Sequence, residues 1–247
     1  MRLKLISCEV LYREMCDSVA RSPHQVDVEF LPKGLHDLGG ARMREELQSI
    51  VDRVEPSRYE AILMGYALCG NGLLGLTARQ VKLVVPKAHD CIALLLGSRS
   101  RYQEYFDENP GVYFRSTGWL ERGYGLEQLS MKPRTGAGFS LEELIAQYGD
   151  DNGRYLFEEM NRYREHYRQL TYIETGLEPD GTFQARARGE ADERGWQFSV
   201  LAGSLSLFRQ LVNAEWAEDD FLIVPPHHRI RATYGDDVIA AEEITNL

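Results

Sequence analysis

Long apolar runs are missing from this 247-residue chain. No stretch approaches the roughly 18 apolar residues that mark a transmembrane helix, so no membrane span is expected. The opening MRLKLISCEVLYREM has too short an apolar run for a signal peptide and lacks a small-residue cleavage pattern. A cytoplasmic location is the expectation. Positive charge is also scarce, with 28 basic against 38 acidic residues and a formal net charge of -10. Nucleic acid is therefore not expected as a partner, because phosphate binding needs a basic surface. A local cationic pocket for a small anionic ligand remains compatible with that balance. There are only four cysteines, and no CxxC pair. In a reducing compartment they read as thiols or ligands rather than disulfides. Neither repeats nor low-complexity segments interrupt the chain.

What the sequence does have is a series of short apolar, β-rich runs: 3–8, 26–31, 61–66, 82–86, 112–116, 171–175, 196–201 and 221–226. Several are continuous rather than alternating, as in strands buried on both faces. Helical patterns lie between them, at 9–19, 40–54, 91–106 with a break near Gly97, and 205–214, with a shorter one at 73–80. Met43, Leu47, Ile50 and Val54 form one stripe at helical spacing. This alternation predicts an α/β fold, with mainly parallel sheet and helices on both faces, in a Rossmann-like arrangement. Residues 140–170 differ and read as two helices broken at Gly149–Gly153, opened by a Ser140/Glu143 capping box. Tyr155, Phe157, Met160, Tyr163 and Tyr167 are expected to serve helix packing. A loop with five glycines, 118–138, leads into this inserted helical segment. The expected organisation is an N-terminal α/β part (1–139), a helical insertion or hinge (140–170) and a C-terminal α/β part (171–247), or one continuous domain.

In open parallel sheets, ligands sit beyond the carboxyl ends of the strands. Three cysteines fall at that end: Cys8, Cys69 in GYALCGNG and Cys91 in HDC. Cys16 lies two turns into the first helix. Cys8, Cys69, Cys91 and His89 would make a closed three-thiolate, one-imidazole zinc set, and thiolates alone could hold an iron–sulfur cluster. Structural packing of the cysteines is the bland alternative. A third reading is a metal-free thiol enzyme, with Cys91 activated at a helix N-terminus and His89 as its base. Gly65, Gly70 and Gly72 are not spaced as a dinucleotide or phosphate loop, yet with Asn71 they would allow close backbone approach to a ligand. Arg13 lies near this end and suits an anionic ligand. His36 reads as closing a loop, and His227 and His228 as surface residues after VPP.

The segments CEVLYRE, FLPKGLHDLGG, ILMGYALCGNGLLGL, VVPKAHDCIALLLGSRSRYQEYF, GVYFRSTGWLERG and DDFLIVPP closely resemble the bacterial and archaeal family catalogued as domain of unknown function 1638. The resemblance supplies no defined reaction. It implies an indirect association with corrinoid-dependent methyltransferase systems and so with one-carbon metabolism, and a corrinoid or methyltransferase protein as partner. The family positions it carries over are Cys8, Cys69, His89 and Cys91. Gly70 and His227 depart from the pattern, which weakens any role for His227. The leading expectation is a metal-binding protein. A non-catalytic small-molecule-binding or methyltransferase-accessory protein stands as its rival.

Overall fold

The computed structural model describes residues 1–122, 140–161, 166–233 and 237–244. Strands β1 (Arg2–Cys8), β2 (Gln25–Leu31), β3 (Ala61–Gly65) and β4 (Leu83–Pro86) run parallel. Strand β8 (Phe221–Val224) joins the edge of β4 antiparallel, giving the order β2-β1-β3-β4-β8. A second sheet, β5 (Val112–Ser116), β6 (Gln169–Glu174) and β7 (Gln197–Ala202), is fully parallel in that order. All residues of β3 and β4 are buried, which is why these strands are continuous apolar runs. The protein is thus mixed α/β with mainly parallel sheet. Among the described residues, no helix is long and apolar enough to cross a membrane.

Helix α1 (Tyr12–Arg21) follows a 3-10 turn, Glu9–Leu11, and α2 (Gly40–Asp52) follows another, Lys33–Leu38. The stripe on α2 buries Met43, Leu47 and Ile50. Helix α3 (Cys91–Leu96) is capped by Asp90, whose Oδ1 accepts from the Ile92 and Ala93 amides at 3.0 and 3.2 Å. It stops at Gly97, which is left-handed at φ 74°. Helix α4 (Arg99–Glu108) restarts behind it, capped by Ser98. Short α5 (Thr117–Arg122) follows β5. Helices α6 (Leu141–Tyr148) and α7 (Asp150–Asn161) come next, and α6 carries the full Ser140/Glu143 capping box. Tyr155 is 61% exposed, so it does not pack. Tyr167 instead meets Tyr113 and Trp196. Tyr163, the Met160 side chain and most of the glycine-rich loop lie outside the described residues.

Two features depart from the pattern reading. Residues 73–80 form turns instead of a short helix, because strand β9 (His228–Ala232) takes their backbone groups. Gly75 donates to the Ile230 carbonyl at 2.7 Å, and Ile230 donates to Leu76 at 2.9 Å. Strand β9 also pairs with β10 (Ile239–Glu243) as an antiparallel hairpin. Helix α8 (Thr182–Arg194) was not visible as an apolar stripe, since it buries only Ala187 and Ala191. Helix α9 (Ser206–Val212) buries Leu207, Phe208, Leu211 and Val212.

Each sheet mixes strands from either side of the 140–170 segment: β8 pairs with β4, and β6 with β5. The main core runs from Leu3 through Val112, Phe114 and Ile173. Segments after β5, β6 and β7 pack on segments after β1 and β4. An added Cβ on Gly118 would stand 1.7 Å from the Val10 carbonyl oxygen. The Ser204 amide donates to Leu95 O at 2.8 Å. The two sheets therefore meet through the loops that carry the candidate site.

One contact at this junction is titratable. Glu14 is 1% exposed, and its Oε1 accepts from Thr175 Oγ at 2.9 Å, while Oε2 has no partner. Burial raises its pKa, and the Glu178 charge adds to this; Thr175 and Arg13 oppose it. A raised folded-state pKa favours the protonated form, so Glu14's contribution is full below the ordinary glutamate range. It is lost as pH climbs through the folded value. Glu14→Gln is expected to raise the melting temperature at pH 7 and to flatten its decline as pH rises above the ordinary glutamate range. Melting curves across that range check both, and an unchanged slope would count against the assignment.

Candidate functional site

Strand order reverses between β1 and β3: the chain leaves β1 for β2 on one side and returns to β3 on the other. The crevice beyond the carboxyl ends of such a pair is the usual ligand position in open α/β sheets. Cys8 is the last residue of β1 and is buried. Tyr66 and Cys69 follow β3. Cys91 opens α3 after β4. Two backbone bonds hold the last two loops in register, Leu68 N to Ala88 O and Cys69 N to His89 O, both 2.9 Å.

The fourth member is His36. It sits in the 3-10 turn after β2, which is drawn toward β1 where the Lys33 amide donates to Glu9 Oε1 at 2.9 Å. The His36 imidazole interacts with both Cys69 and Cys8, and its ring stacks on Tyr66 with centroids 6.1 Å apart. Burial alone would lower its pKa, but the interactions with Cys69 and Cys8 outweigh that and lift it to about 10. Cys69 also interacts with Cys91, and Cys91, against the opposing effect of burial, and the neighbouring His36 push the Cys69 thiol well below its ordinary value. Cys91 moves the other way, raised by Cys69 and by burial. Tyr66 is 1% exposed, lies within electrostatic reach of Cys8 and Cys69, and has a buried hydroxyl with no hydrogen-bond partner.

Backbone geometry marks the same place. Cys69, Gly70 and Asn71 have φ of 45°, 65° and 70°. Three successive left-handed residues, two of them not glycine, cost conformational energy and are retained where surrounding structure over-determines them. Gly70, Gly72 and Gly75 do carry G-x-G-x-x-G spacing after a strand. The fingerprint also needs a helix to begin there, and residues 69–75 are turns. A Cβ on Gly72 would fall 2.3 Å from Met43 Sδ, and one on Gly65 the same distance from Ser7 Oγ. These two glycines approach protein atoms.

The structure brings Cys8, Cys69 and Cys91 together and leaves the His89 ring outside. His89 offers its carbonyl to Cys69, while its exposed ring lines a separate cavity of about 480 Å³ with Arg99, Tyr102 and Asp219. His36 takes the place expected of His89. Its signal was present, since it follows β2 at the carboxyl end, but chain proximity to Cys91 favoured His89. Cys91, beside Cys69 and Asp90, is raised above the ordinary thiol value, mainly by Cys69 and by burial. Arg13 is engaged by Glu121 in a two-pronged pair at 2.8 and 2.9 Å. His227 and His228 lie at the opposite end, because β8 runs antiparallel to β4. Cys16 is half-buried on α1, apart from the cluster. Among the described residues, no group of three or more His, Cys, Asp or Glu side chains is placed so that it could hold a metal ion.

A family model described as protein of unknown function (DUF1638) matches residues 30–212. The chain belongs to that family. The match takes in His36, Cys69 and Cys91; Cys8 and the DDFLIVPP segment lie outside it. No curated protein matches the chain. Among solved structures, a thioesterase domain from the curacin biosynthetic pathway is similar at 11% identity, over 87% of this chain and 89% of that one. Its TM-score of 0.25 is too low to bear on fold or chemistry.

Proposed function

We propose that this protein binds zinc through Cys8, Cys69, Cys91 and His36. The observation that carries the reading is that Cys8, Cys69 and Cys91 end or follow adjacent strands at one end of the sheet, where His36 interacts with two of them. Four borderline-soft donors, one buried and three half-buried, match the ligand preference of zinc. Ligand protons leave when the ion binds. Zinc is favoured over an iron–sulfur cluster because the imidazole completes the set. The position at the strand-order reversal supports a site that acts on a ligand over a purely structural one. A place beside corrinoid-dependent methyl transfer is supported by the family resemblance alone.

Elemental analysis of protein purified anaerobically without added metal tests the reading. About one equivalent of zinc is expected for a single four-ligand site. Protein free of transition metal that also fails to take up zinc on titration would end it. Iron with acid-labile sulfide would replace zinc by the runner-up.

A further inference from the structure

Strand β7 is an open edge of the second sheet. The Gln197 amide donates to Arg168 O at 2.9 Å, and the Gly203 amide to Glu174 O at 2.6 Å. In a parallel ladder alternate residues turn their backbone groups toward one neighbour, so Gln197, Ser199, Leu201 and Gly203 face β6. Trp196, Phe198, Val200 and Ala202 turn theirs outward. At either end an outward group is already used: Trp196 N–H donates to Ala191 O at 2.9 Å, and Ala202 O accepts from the Arg101 guanidinium. Among the described residues, the N–H and C=O groups of Phe198 and Val200 have no protein partner. Open edges invite another strand, and proteins blunt them with charge, proline or brevity. The other edges of the two larger sheets are blunted. β2 carries Asp27 and Glu29, paired with Arg58 and Lys4. β5 carries Arg115, paired with Glu190. β8 has four residues and runs into Pro225 and Pro226. β7, QFSVLA, holds no charge, proline or glycine, and its Val200 is 41% exposed.

We propose that β7 pairs with β7 of a second copy of this chain, antiparallel, about a twofold axis at Ser199. Phe198 then stands opposite the partner's Val200, and Val200 opposite the partner's Phe198. Each such pair exchanges both backbone bonds, so every free group of Phe198 and Val200 is satisfied on both copies. On one face the two residues and their counterparts form aromatic and β-branched cross-strand contacts that cover Val200. The next bond outward would run from Trp196 N–H to the partner's Ala202 O. Both groups are already used within each chain, so the pairing stops where the free groups stop. This match of free to free and used to used is what favours a second copy over an unrelated strand. The nearby charges agree with it. Arg188 lies over the Phe198 ring on one face of the sheet. Arg101 reaches Ala202 from α4, whose Tyr105 meets Ser199 on the other face. The twofold axis keeps each arginine on its own face, so the Arg188 and Arg101 that share an end of the pairing do not meet.

The test is the mass of the full chain in solution, by sedimentation equilibrium from micromolar to millimolar concentration, joined to amide hydrogen exchange. A dimer is expected, with exchange at Phe198 and Val200 slowing as the dimer forms. A monomer throughout, an assembly larger than a dimer, or a dimer in which those two amides exchange as fast as in the monomer overturns the proposal. Both measurements use native protein, so poor folding of a variant does not shield it. Val200→Pro removes a donor that only the pairing uses, at an edge position where proline is tolerated. It is expected to be monomeric with an unchanged circular dichroism spectrum, and a folded variant that still dimerises counts against the pairing. Ser199→Cys tests the register. Facing residues of a non-hydrogen-bonded pair have Cα atoms about 4.5 Å apart, within disulfide reach. Mild oxidation should link two chains through position 199, as peptide mapping reads, and a folded dimer that forms no such link overturns the register.

Discussion

His36→Ala is expected to weaken zinc binding by more than about a hundredfold, beyond the 10- to 100-fold typical of an outer-shell partner. His89→Ala is expected to leave it unchanged. The contrast separates two histidines that sequence spacing alone ranks in the opposite order. His36 interacts with two of the thiols, whereas His89 contributes its carbonyl and turns its ring into another cavity. Competition titration with a chromophoric chelator measures both affinities, and circular dichroism confirms that each variant is folded. Cys69→Ser should behave like His36→Ala, because Cys69 is the thiol that interacts with both the imidazole and Cys91. Equal zinc affinity for wild type and His36→Ala would remove His36 from the site.

The second large effect concerns the junction between the sheets. Gly118→Ala is expected to destabilise the protein by about 3 kcal/mol or more, the upper range for an inserted group that cannot be accommodated. Its Cβ would lie 1.7 Å from Val10 O and 2.7 Å from Val10 C, both backbone atoms. Backbone cannot swing away as a side chain can. Val10 is fully buried in the turn that directly follows Cys8, so its retreat would also disturb the site. Gly189→Ala is the matched control. Gly189 lies inside α8, and nothing stands within 4 Å of an added Cβ. That change should stabilise by about 0.5–1 kcal/mol, through helix propensity and a less flexible unfolded chain. Urea unfolding of the two variants measures both. A Gly118→Ala protein as stable as wild type would show that the Val10 turn yields to the added group at no cost.

The strands were legible because most are nearly continuous apolar runs, and burial on both faces leaves little else that a run can mean. The α2 stripe, the Asp90-capped start at Cys91, the break at Gly97 and the Ser140 capping box are local features, and local chemistry writes them directly into the sequence. Placing three cysteines at one end of the sheet followed from strand direction alone. What local pattern could not supply was long-range competition for backbone groups. Residues 73–80 are not helical because β9, some 150 residues later, takes their hydrogen bonds. Helix α8 was hidden because only two alanines face inward.

The sequence by itself determined an α/β chain with mainly parallel sheet, a cluster of thiols at strand carboxyl ends and membership of one family. Tertiary structure alone decided which histidine joins the thiols. Cys91 and His89 are neighbours in sequence, but a parallel sheet brings together the ends of strands far apart in the chain. β1 lies between β2 and β3, so the loop after β2 arrives beside Cys8 and carries His36 to it. Spacing along a chain says nothing of that adjacency, because strand order is fixed by burial and pairing over the whole sheet.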